Sequence, residues 1–453
     1  MRGVLETAAA VRAGTLSARA LVEDTLIALV ADTHVAVTRV LHDRARAEAD
    51  AIDAMVAAGR DPGPLAGVPY GVKDLFDVCG LPTTAGSGLY ADAAPAGADA
   101  EALARLTAAG AICVATLNMD EFAYGFATIN AAYGTTRNPS DPSRLAGGSS
   151  GGSAAIVAAG LLAFSLGSDT NGSIRVPASL CGLYGLKPTH GDLPLGGVFP
   201  FAESFDDIGP FTRSVEDMAL VWQVLAGRRV DGGRADGSGD FRVARLGGRF
   251  RENAEPVQLA AIDAIAPDAP LVELPEIARA RSAAFLITAC EGGALHREAL
   301  AGQAMAFDPQ VRDRLIAGAL LPEALYQEAQ AFRADYCARI RALVADYDVL
   351  LAPATPTFAP AIADPRILID GALSPARADL GIHTQPITFT GLPSLAVPLY
   401  RPGELPIGLQ LIGRAGREAD LFAFAAKLEA DGITGYGMPQ GAASGHCMPQ
   451  DAA

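Results

Sequence analysis

The sequence lacks any long apolar run. No stretch of its 453 residues reaches the roughly 18 apolar residues that a membrane-spanning helix needs. The first residues, 1–6, also lack the apolar core of a secretory leader. We therefore expect a soluble, cytoplasmic protein without a membrane partner.

Paired cysteines and clustered histidines are also missing. The six cysteines stand apart without C-x-x-C spacing, which is typical of buried, reduced thiols rather than of a disulfide framework. The six histidines are equally scattered, so the pattern predicts no metal site, and we expect no cofactor. The cysteines are Cys79, Cys113, Cys181, Cys290, Cys337 and Cys447.

Positive charge is scarce. The chain has 35 Lys and Arg against 51 Asp and Glu, a formal net charge of −16. A surface for nucleic acid or an anionic membrane requires an excess of Lys and Arg. We therefore expect no direct nucleic-acid contact, and we attribute the negative charge to solubility.

No Pro/Ser-rich linker or long charge run divides the chain. Hydrophobic residues make up 50% of it, enough to bury a large core. We predict a single domain over residues 1–434, with N-terminal helices over about 1–60 and a helical cap over about 278–344. Residues 435–453 are expected to form a disordered tail.

What the chain does have is a dense run of glycine and serine between Gly147 and Thr189. Its first cluster fits G-x-S-x-G, the nucleophile elbow of α/β-hydrolases. That elbow needs a strand directly before it, and we expect none over 138–144. A phosphate loop is also disfavoured, because the G-x-x-x-x-G-K-[ST] spacing is absent and no lysine follows before Lys187.

The whole pattern resembles the amidase signature family. In that family two serines 24 residues apart act with an upstream lysine, and Ser149 and Ser173 have this spacing. The lysine matches Lys73, which follows the apolar segment 67–72. Three matched elements in the right order make the resemblance specific.

The resemblance implies an α/β fold, with α/β/α layers around a large mixed, mostly parallel sheet. The local patterns agree with it. Residues 67–72 read as a buried strand that delivers Lys73, and a helix over 101–109 leads into an apolar strand over 111–117. A helix over 153–159 and a strand over 161–166 follow the first glycine cluster.

Amide hydrolysis needs a nucleophile, a base, an acid for the leaving amine and donors for the oxyanion. The family pattern makes Ser173 the nucleophile. It makes Ser149, which in the family follows a cis peptide bond, a proton relay to Lys73. A lysine can act as a base only when it is neutral, and burial at the end of an apolar strand would keep Lys73 neutral.

The resemblance also assigns roles to the second cluster. The oxyanion hole is expected from the backbone N–H groups of Thr170, Asn171, Gly172 and Ser173. Asp169 and Arg175 are expected to pair and hold the turn, a structural role near the site.

Two departures from the family pattern stand out. Asn171 takes a position where many members have glycine, so its side chain is expected to enter the pocket and shape substrate choice. His190 follows the segment 187–189, where the family commonly has Gly-Arg. We expect a local structural role for His190 rather than a catalytic one.

Within the family, the chain is most similar to the branch of 1-carboxybiuret hydrolases. This similarity implies a serine-type amidohydrolase that releases ammonia from 1-carboxybiuret or a related ureido compound through an acyl-enzyme. Tyr124 and Gln385 are the expected contacts to the ureido group. The segments that carry the similarity are 118–126, 167–182, 291–296 and 383–389.

The same branch implies a partner, a small helical subunit resembling the third subunit of tRNA-dependent amidotransferases, and an oligomeric assembly. Two other functions remain open. One is the glutaminase (A) subunit of a tRNA-dependent amidotransferase. The other is a catalytically silent scaffold or binding subunit, against which the intact Lys73, Ser149 and Ser173 argue.

Overall fold

One sheet of eleven strands runs through the protein, in a computed structural model that describes residues 2–228 and 241–437. Most of the predicted disordered tail, residues 438–453, lies outside the described residues. Three two-stranded ribbons lie outside this sheet within the described part of the chain.

The strands are short, and those of the large sheet are mostly apolar and buried on both faces. In chain order they are β1 (Val37–Val40), β2 (Pro69–Lys73), β3 (Ile112–Leu117), β4 (Ile129–Asn130), β5 (Gly134–Thr135), β6 (Arg137–Asn138), β7 (Asp141–Leu145), β8 (Phe164–Asp169), β9 (Tyr184–Lys187), β10 (Asp207–Thr212), β11 (Val243–Leu246), β12 (Leu271–Val272), β13 (Val349–Pro353), β14 (Arg366–Ile369), β15 (Ala372–Pro375), β16 (Ser394–Pro398) and β17 (Gly408–Gly413).

The helices connect and cover these strands. In chain order they are α1 (Val4–Arg12), α2 (Ala18–Val30), α3 (His42–Ala57), α4 (Glu101–Ala108), α5 (Gly151–Ala158), α6 (Arg175–Cys181), α7 (Val215–Ala226), α8 (Arg249–Glu252), α9 (Pro256–Ile265), α10 (Ile277–Leu295), α11 (Arg297–Gln303), α12 (Pro309–Ala319), α13 (Glu323–Leu343), α14 (Ala376–Asp379), α15 (Gln385–Thr390) and α16 (Glu418–Ala430).

The large sheet has the order β1-β3-β2-β8-β10-β9-β16-β17-β13-β11-β12. Four neighbouring pairs are parallel, namely β3 with β2, β2 with β8, β13 with β11 and β11 with β12. The other six are antiparallel, because β10 and the β16–β17 pair return through the middle of the sheet. The predicted mixed α/β fold is confirmed, and its parallel pairing is confined to the two ends of the sheet.

Helices lie on both faces of this sheet. In β3, Ile112 and Val114 face one core, to which α2, α3 and α5 contribute, while Cys113 faces another that includes α4. This alternation follows from the two-residue period of a strand. It produces the predicted α/β/α layering.

Several local predictions hold closely, and two need correction. Helix α2 begins where Ser17 accepts a hydrogen bond from Ala20 N–H, as an N-cap should. The strand predicted over 161–166 begins only at Phe164, because the N–H groups of Leu161 and Leu162 still donate to Ile156 at the end of α5. The expectation of no strand over 138–144 was wrong, since β6 and β7 form a hairpin there, although outside the central sheet.

Helices α10–α13 occupy residues 277–343, the segment predicted as a helical cap. Across the two described ranges, no helix combines the length and the apolar character that crossing a bilayer requires. The division into one domain stays a prediction.

Candidate active site

Two glycine-rich turns meet at the centre of the sheet. The first comes before α5 and contains Ser149, whose peptide bond to Gly148 is cis. The second links β8 to α6 and contains Ser173. The N–H of Ser150 donates to the carbonyl oxygen of Ser173 at 3.2 Å, so the two turns are joined directly.

Lys73 lies beneath these turns at the end of β2, with none of its surface exposed. Its Nζ donates to the Oγ of Ser149 at 2.7 Å and to the Oγ of Ser168 at 2.8 Å. Burial lowers the pKa of Lys73 to about 7, because the interior disfavours the charged ammonium. A substantial fraction of Lys73 is therefore neutral near pH 7.

Three carboxylates, those of Asp120, Asp169 and Asp206, oppose this effect by raising the pKa of Lys73. None of them forms a salt bridge with it, since each is bound elsewhere. Asp120, for example, accepts hydrogen bonds from the N–H groups of Ala127 and Thr128. The lysine thus has hydroxyl partners at contact distance and carboxylates only further away.

The second turn is held by Asp169 and Arg175, which form a fully buried ion pair at 3.0 Å. Although burial raises the pKa of Asp169, the charge and hydrogen bonds of Arg175 hold it below its ordinary value. Gly172 has a φ of +133°, and a Cβ there would lie 2.0 Å from Thr384 Oγ1. Only glycine fits this position.

The N–H of Gly172 donates to Asp169 Oδ1 at 2.6 Å. It was one of four backbone groups expected to bind an oxyanion. Because the turn folds back onto the end of β8, the carboxylate already uses this donor. The oxyanion assignment is therefore limited to Thr170, Asn171 and Ser173.

A narrow pocket of about 310 Å³ opens onto Ser173. The helical segment 277–343 and the loops that follow β3 and β9 supply much of its wall. Its polar and charged side chains carry no negative charge. The residues around it are Ala123, Tyr124, Gly125, Phe126, Thr170, Asn171, Ser173, Phe201, Phe285, Thr288, Arg314, Arg377 and Gln385.

All three predicted substrate contacts, Tyr124, Asn171 and Gln385, line this pocket. Gln385 is 1% exposed, and within the described part of the chain neither end of its amide has a hydrogen-bond partner. Asn171 donates to Thr288 Oγ1 at 3.0 Å, but its Oδ1 is buried without a described partner. Buried amide groups in this state are costly unless a ligand satisfies them.

The pocket also holds two arginines that sequence reasoning missed. Arg314 of α12 lies over the ring of Tyr124, 3.6 Å from its centroid, and donates to the Tyr124 carbonyl. Arg377 of α14 donates to the same carbonyl and to Gln310 Oε1. These acceptors are neutral, and Arg377 is only 9% exposed. Burial lowers the pKa of Arg314, as expected for a cation taken out of water.

The predicted structural residue His190 lies away from this pocket. Its Nδ1 is 3.1 Å from Asp207 Oδ1, and the other oxygen of Asp207 accepts from the buried Lys187 at 2.9 Å. Ser168 and Asp206 are further residues near Lys73 that the sequence did not single out. Ser168 immediately precedes the paired Asp169, but nothing in its local pattern marks it as a partner of Lys73.

The Amidase family model matches residues 21–239 and 253–422 of the chain. This protein belongs to the amidase signature family. Members of this family, this chain included, are hydrolases that act on amide C–N bonds.

Two relatives illustrate the range of the family. The 1-carboxybiuret hydrolase subunit AtzE of Pseudomonas sp. strain ADP is 47% identical over 430 residues, which cover 90% of this chain and 94% of that protein. The glutamyl-tRNA(Gln) amidotransferase of Roseiflexus sp. strain RS-1 has an A-type subunit that is 39% identical over 427 residues, 83% of this chain and 85% of that one.

Among solved structures, one is described as an unexpected vestigial protein complex that reveals the evolutionary origins of an s-triazine catabolic enzyme. It matches this amidase signature protein with a TM-score of 0.91 and 44% identity. The match covers 96% of this chain and the whole of the other. The similarity therefore extends across both glycine-rich turns and the pocket wall.

Proposed function

We propose that this protein cleaves a C–N bond of a small ureido compound that carries a carboxylate, such as 1-carboxybiuret, and releases ammonia. The observation that carries the proposal is the charge of the pocket. It has two arginines with neutral partners and no acidic side chain among its lining residues. Such a pocket favours an anion, and the name of the relative AtzE specifies a carboxylated ureido substrate.

In the proposed mechanism, Ser173 Oγ attacks the carbonyl carbon of the substrate. Its proton passes through the hydroxyl of Ser149 to the neutral Lys73, which receives it as an ammonium. The C=O bond becomes a C–O⁻ single bond, and the N–H groups of Thr170, Asn171 and Ser173 stabilise this oxyanion.

Collapse of the tetrahedral intermediate breaks the C–N bond. Lys73 returns its proton through Ser149 to the leaving nitrogen, so that ammonia departs and an acyl ester on Ser173 remains. Water then attacks the ester while Lys73 accepts a proton by the same route. The acid form of the product leaves, and Ser173 regains its hydroxyl hydrogen.

The side chains around Ser173 support a ureido substrate. Asn171 Oδ1 and Gln385 Oε1 can accept hydrogen bonds from ureido N–H groups, while Gln385 Nε2 can donate to a ureido carbonyl. The ring and carbonyl of Tyr124 hold Arg314 and Arg377 in place, and their guanidinium groups can bind the carboxylate.

The same pocket argues against a glutaminase. Free glutamine carries an α-ammonium group, which requires a negative partner, and the lining residues offer none while presenting two positive charges. A silent scaffold is disfavoured because Lys73 and Ser149 are hydrogen-bonded with the lysine largely free to act as a base.

We further propose a partner protein, small and helical, and a cytoplasmic location. AtzE is named as one subunit of its enzyme, and the similar solved structure is a complex. The cytoplasmic location rests on the free thiols of the described cysteines Cys79, Cys113, Cys181, Cys290 and Cys337. Aggregation of the chain alone, relieved by co-expression with a small helical protein encoded nearby, would support the partner.

The test measures ammonia release from 1-carboxybiuret, biuret, malonamate, glutamine and simple aliphatic amides, with Ser173→Ala as the inactive control. We expect Arg314→Ala and Arg377→Ala each to lower kcat/KM for 1-carboxybiuret by roughly 10- to 100-fold, the loss typical of a charge-assisted hydrogen bond. Biuret, which lacks the carboxylate, should lose much less.

Arg213→Ala is the matched control. Arg213 is also partly buried and donates to neutral backbone carbonyls, those of Val157 and Leu162, but it does not line the pocket. Its removal should not change the ratio between the two substrates. Turnover of glutamine alone would favour the amidotransferase function, and no turnover of any amide, with or without a partner, would favour the scaffold.

A further inference from the structure

We infer that Asp206 is a positioning residue that fixes Thr170, and with it the backbone donors of the oxyanion turn, against the wall of the substrate pocket. The inference rests on the proposed function, because it assigns a support to the proposed oxyanion hole. The observations that carry it are the strand register, a set of hydrogen bonds and the burial of the carboxylate.

The register of the sheet places Asp206 opposite Thr170. Strands β8 and β10 are antiparallel, and Asp207 pairs with Asp169. The residue before Asp207 therefore lies beside the residue after Asp169. Thr170 Oγ1 donates to Asp206 Oδ1 at 2.6 Å, a short bond of the kind that charged acceptors form.

The other oxygen of Asp206 binds the pocket wall. Its Oδ2 accepts from the N–H groups of Phe201 at 2.7 Å and Ala202 at 2.9 Å. Phe201 lines the pocket and packs on Tyr124 with ring centroids 4.7 Å apart. One carboxylate thus connects the oxyanion turn with the wall that faces it.

The loop that carries this wall is also fixed to the helical segment. Ser204 donates through its N–H and its hydroxyl to Glu291 of α10, and Tyr326 of α13 donates to the same carboxylate. Residues 201–206 are therefore held at both ends. A change at Asp206 is expected to release the end next to the reacting atoms without freeing the loop entirely.

Burial raises the pKa of Asp206 to about 6, against the lowering effect of the hydrogen bonds from Thr170, Phe201 and Ala202. The group is consequently ionised near pH 7 and above. Asp207 beside it is neutralised by Lys187 and contacted by His190. The charge of Asp206 also acts on Lys73, together with those of Asp120 and Asp169.

The test compares two changes at Thr170. Thr170→Val removes the hydroxyl and keeps the shape and the backbone N–H. We expect kcat to fall by about 10- to 100-fold, the cost of a small misplacement of catalytic groups, with KM changed less than about threefold. Thr170→Ser keeps the hydroxyl and should recover most of that loss. Equal losses in both variants, or none in Thr170→Val, would overturn the inference.

A matched control removes a similar bond elsewhere. Thr357 Oγ1 donates to Glu255 Oε1 at 2.7 Å near the start of α9 and does not line the pocket. Thr357→Val should leave kcat unchanged. Thermal unfolding of every variant accompanies the kinetics, so that a loss of folded protein is not read as a loss of positioning.

Asp206→Asn separates position from charge. Without the negative charge the pKa of Lys73 should fall, so the acidic limb of the kcat/KM profile should move to lower pH. Thr170→Val keeps the charge and should leave that limb in place. An unmoved limb in a folded Asp206→Asn enzyme would contradict the electrostatic part.

A fluorophosphonate probe gives a readout that does not depend on the substrate. Ser173 Oγ forms a bond to phosphorus as fluoride leaves, and the phosphoryl oxygen takes the place of the oxyanion. Labelling should slow in Thr170→Val and recover in Thr170→Ser. A native enzyme that neither reacts with the probe nor hydrolyses any amide would refute the proposed function, whereas normal labelling of Thr170→Val would refute this inference alone.

Discussion

The protein contains two buried lysines that end strands of the same sheet, and they are kept in different ways. Lys73 contacts two hydroxyl groups, and burial lowers its pKa to about 7. Lys187 contacts the carboxylate of Asp207 and the carbonyl of Pro188. Both side chains are inaccessible to solvent. The partner at contact distance, rather than burial, therefore decides whether such a lysine can serve as a base or as one half of an ion pair.

The largest effect should come from removing the proposed base. Lys73→Met fills a similar volume without an amine, and we expect kcat/KM to fall by at least about 1,000-fold, within the range for loss of general acid–base catalysis. Lys73→Arg should be as inactive, because a guanidinium does not give up its proton. Steady-state ammonia release measures both. Activity above about a tenth of native in either variant would contradict the role of Lys73.

Lys187→Met should instead act on stability. It leaves the carboxylate of Asp207 buried without its cation, and breaking a buried pair in this way costs about 3–5 kcal/mol of unfolding free energy. Activity per folded molecule should be close to native. Urea unfolding and active-site titration provide the measurements, and Lys187→Met with Asp207→Asn should regain part of the stability. A catalytic loss without a stability loss would remove the contrast between the two lysines.

The pH dependence sharpens the comparison. Lys73 must be neutral to accept a proton, so activity should be lost as pH falls through about 7 and gained as it rises. Below that value kcat/KM should decrease about tenfold per pH unit. A rate profile on a carboxylated substrate measures this limb. A limb near 10, the range of an exposed lysine, would show that burial does not lower the pKa of Lys73.

The smallest effect is expected at His190. Its ring contacts the second oxygen of Asp207 and is partly exposed, so His190→Ala should cost about 1 kcal/mol, the net value of one hydrogen bond. The catalytic constants should not change. Chemical unfolding and ammonia release together test the structural role predicted for this residue, and a tenfold loss of kcat would contradict it.

The sequence identified the parts of the site that lie in continuous motifs. Ser149 and Ser173 stand in one segment with a fixed spacing, and Lys73 ends a strand whose apolar pattern is plain. The meeting of Lys73 with Ser149 across 76 positions depends on β2 and β8 being neighbours, which no local pattern encodes. Only the family resemblance predicted it.

The pocket wall was beyond local patterns. Arg312 and Arg314 look alike in the sequence of α12, yet Arg312 pairs with the exposed Asp313 while Arg314 enters the pocket. The difference arises from the packing of α12 on α10, where a Cβ on Gly318 would lie 1.9 Å from the Ala289 carbonyl oxygen. Such close packing fixes the face that a helix presents, and sequence spacing alone does not.

The chain contains three lysines in all, and only Lys427, in the last turn of α16, is exposed. An amine-acylating reagent applied to the folded protein should therefore modify a single lysine, besides the terminal amine. Unfolding would expose Lys73 and Lys187 and raise the count to three. Mass spectrometry of the acylated protein would then report the folded fraction molecule by molecule, and coupling through Lys427 would attach the enzyme to a support without blocking its pocket.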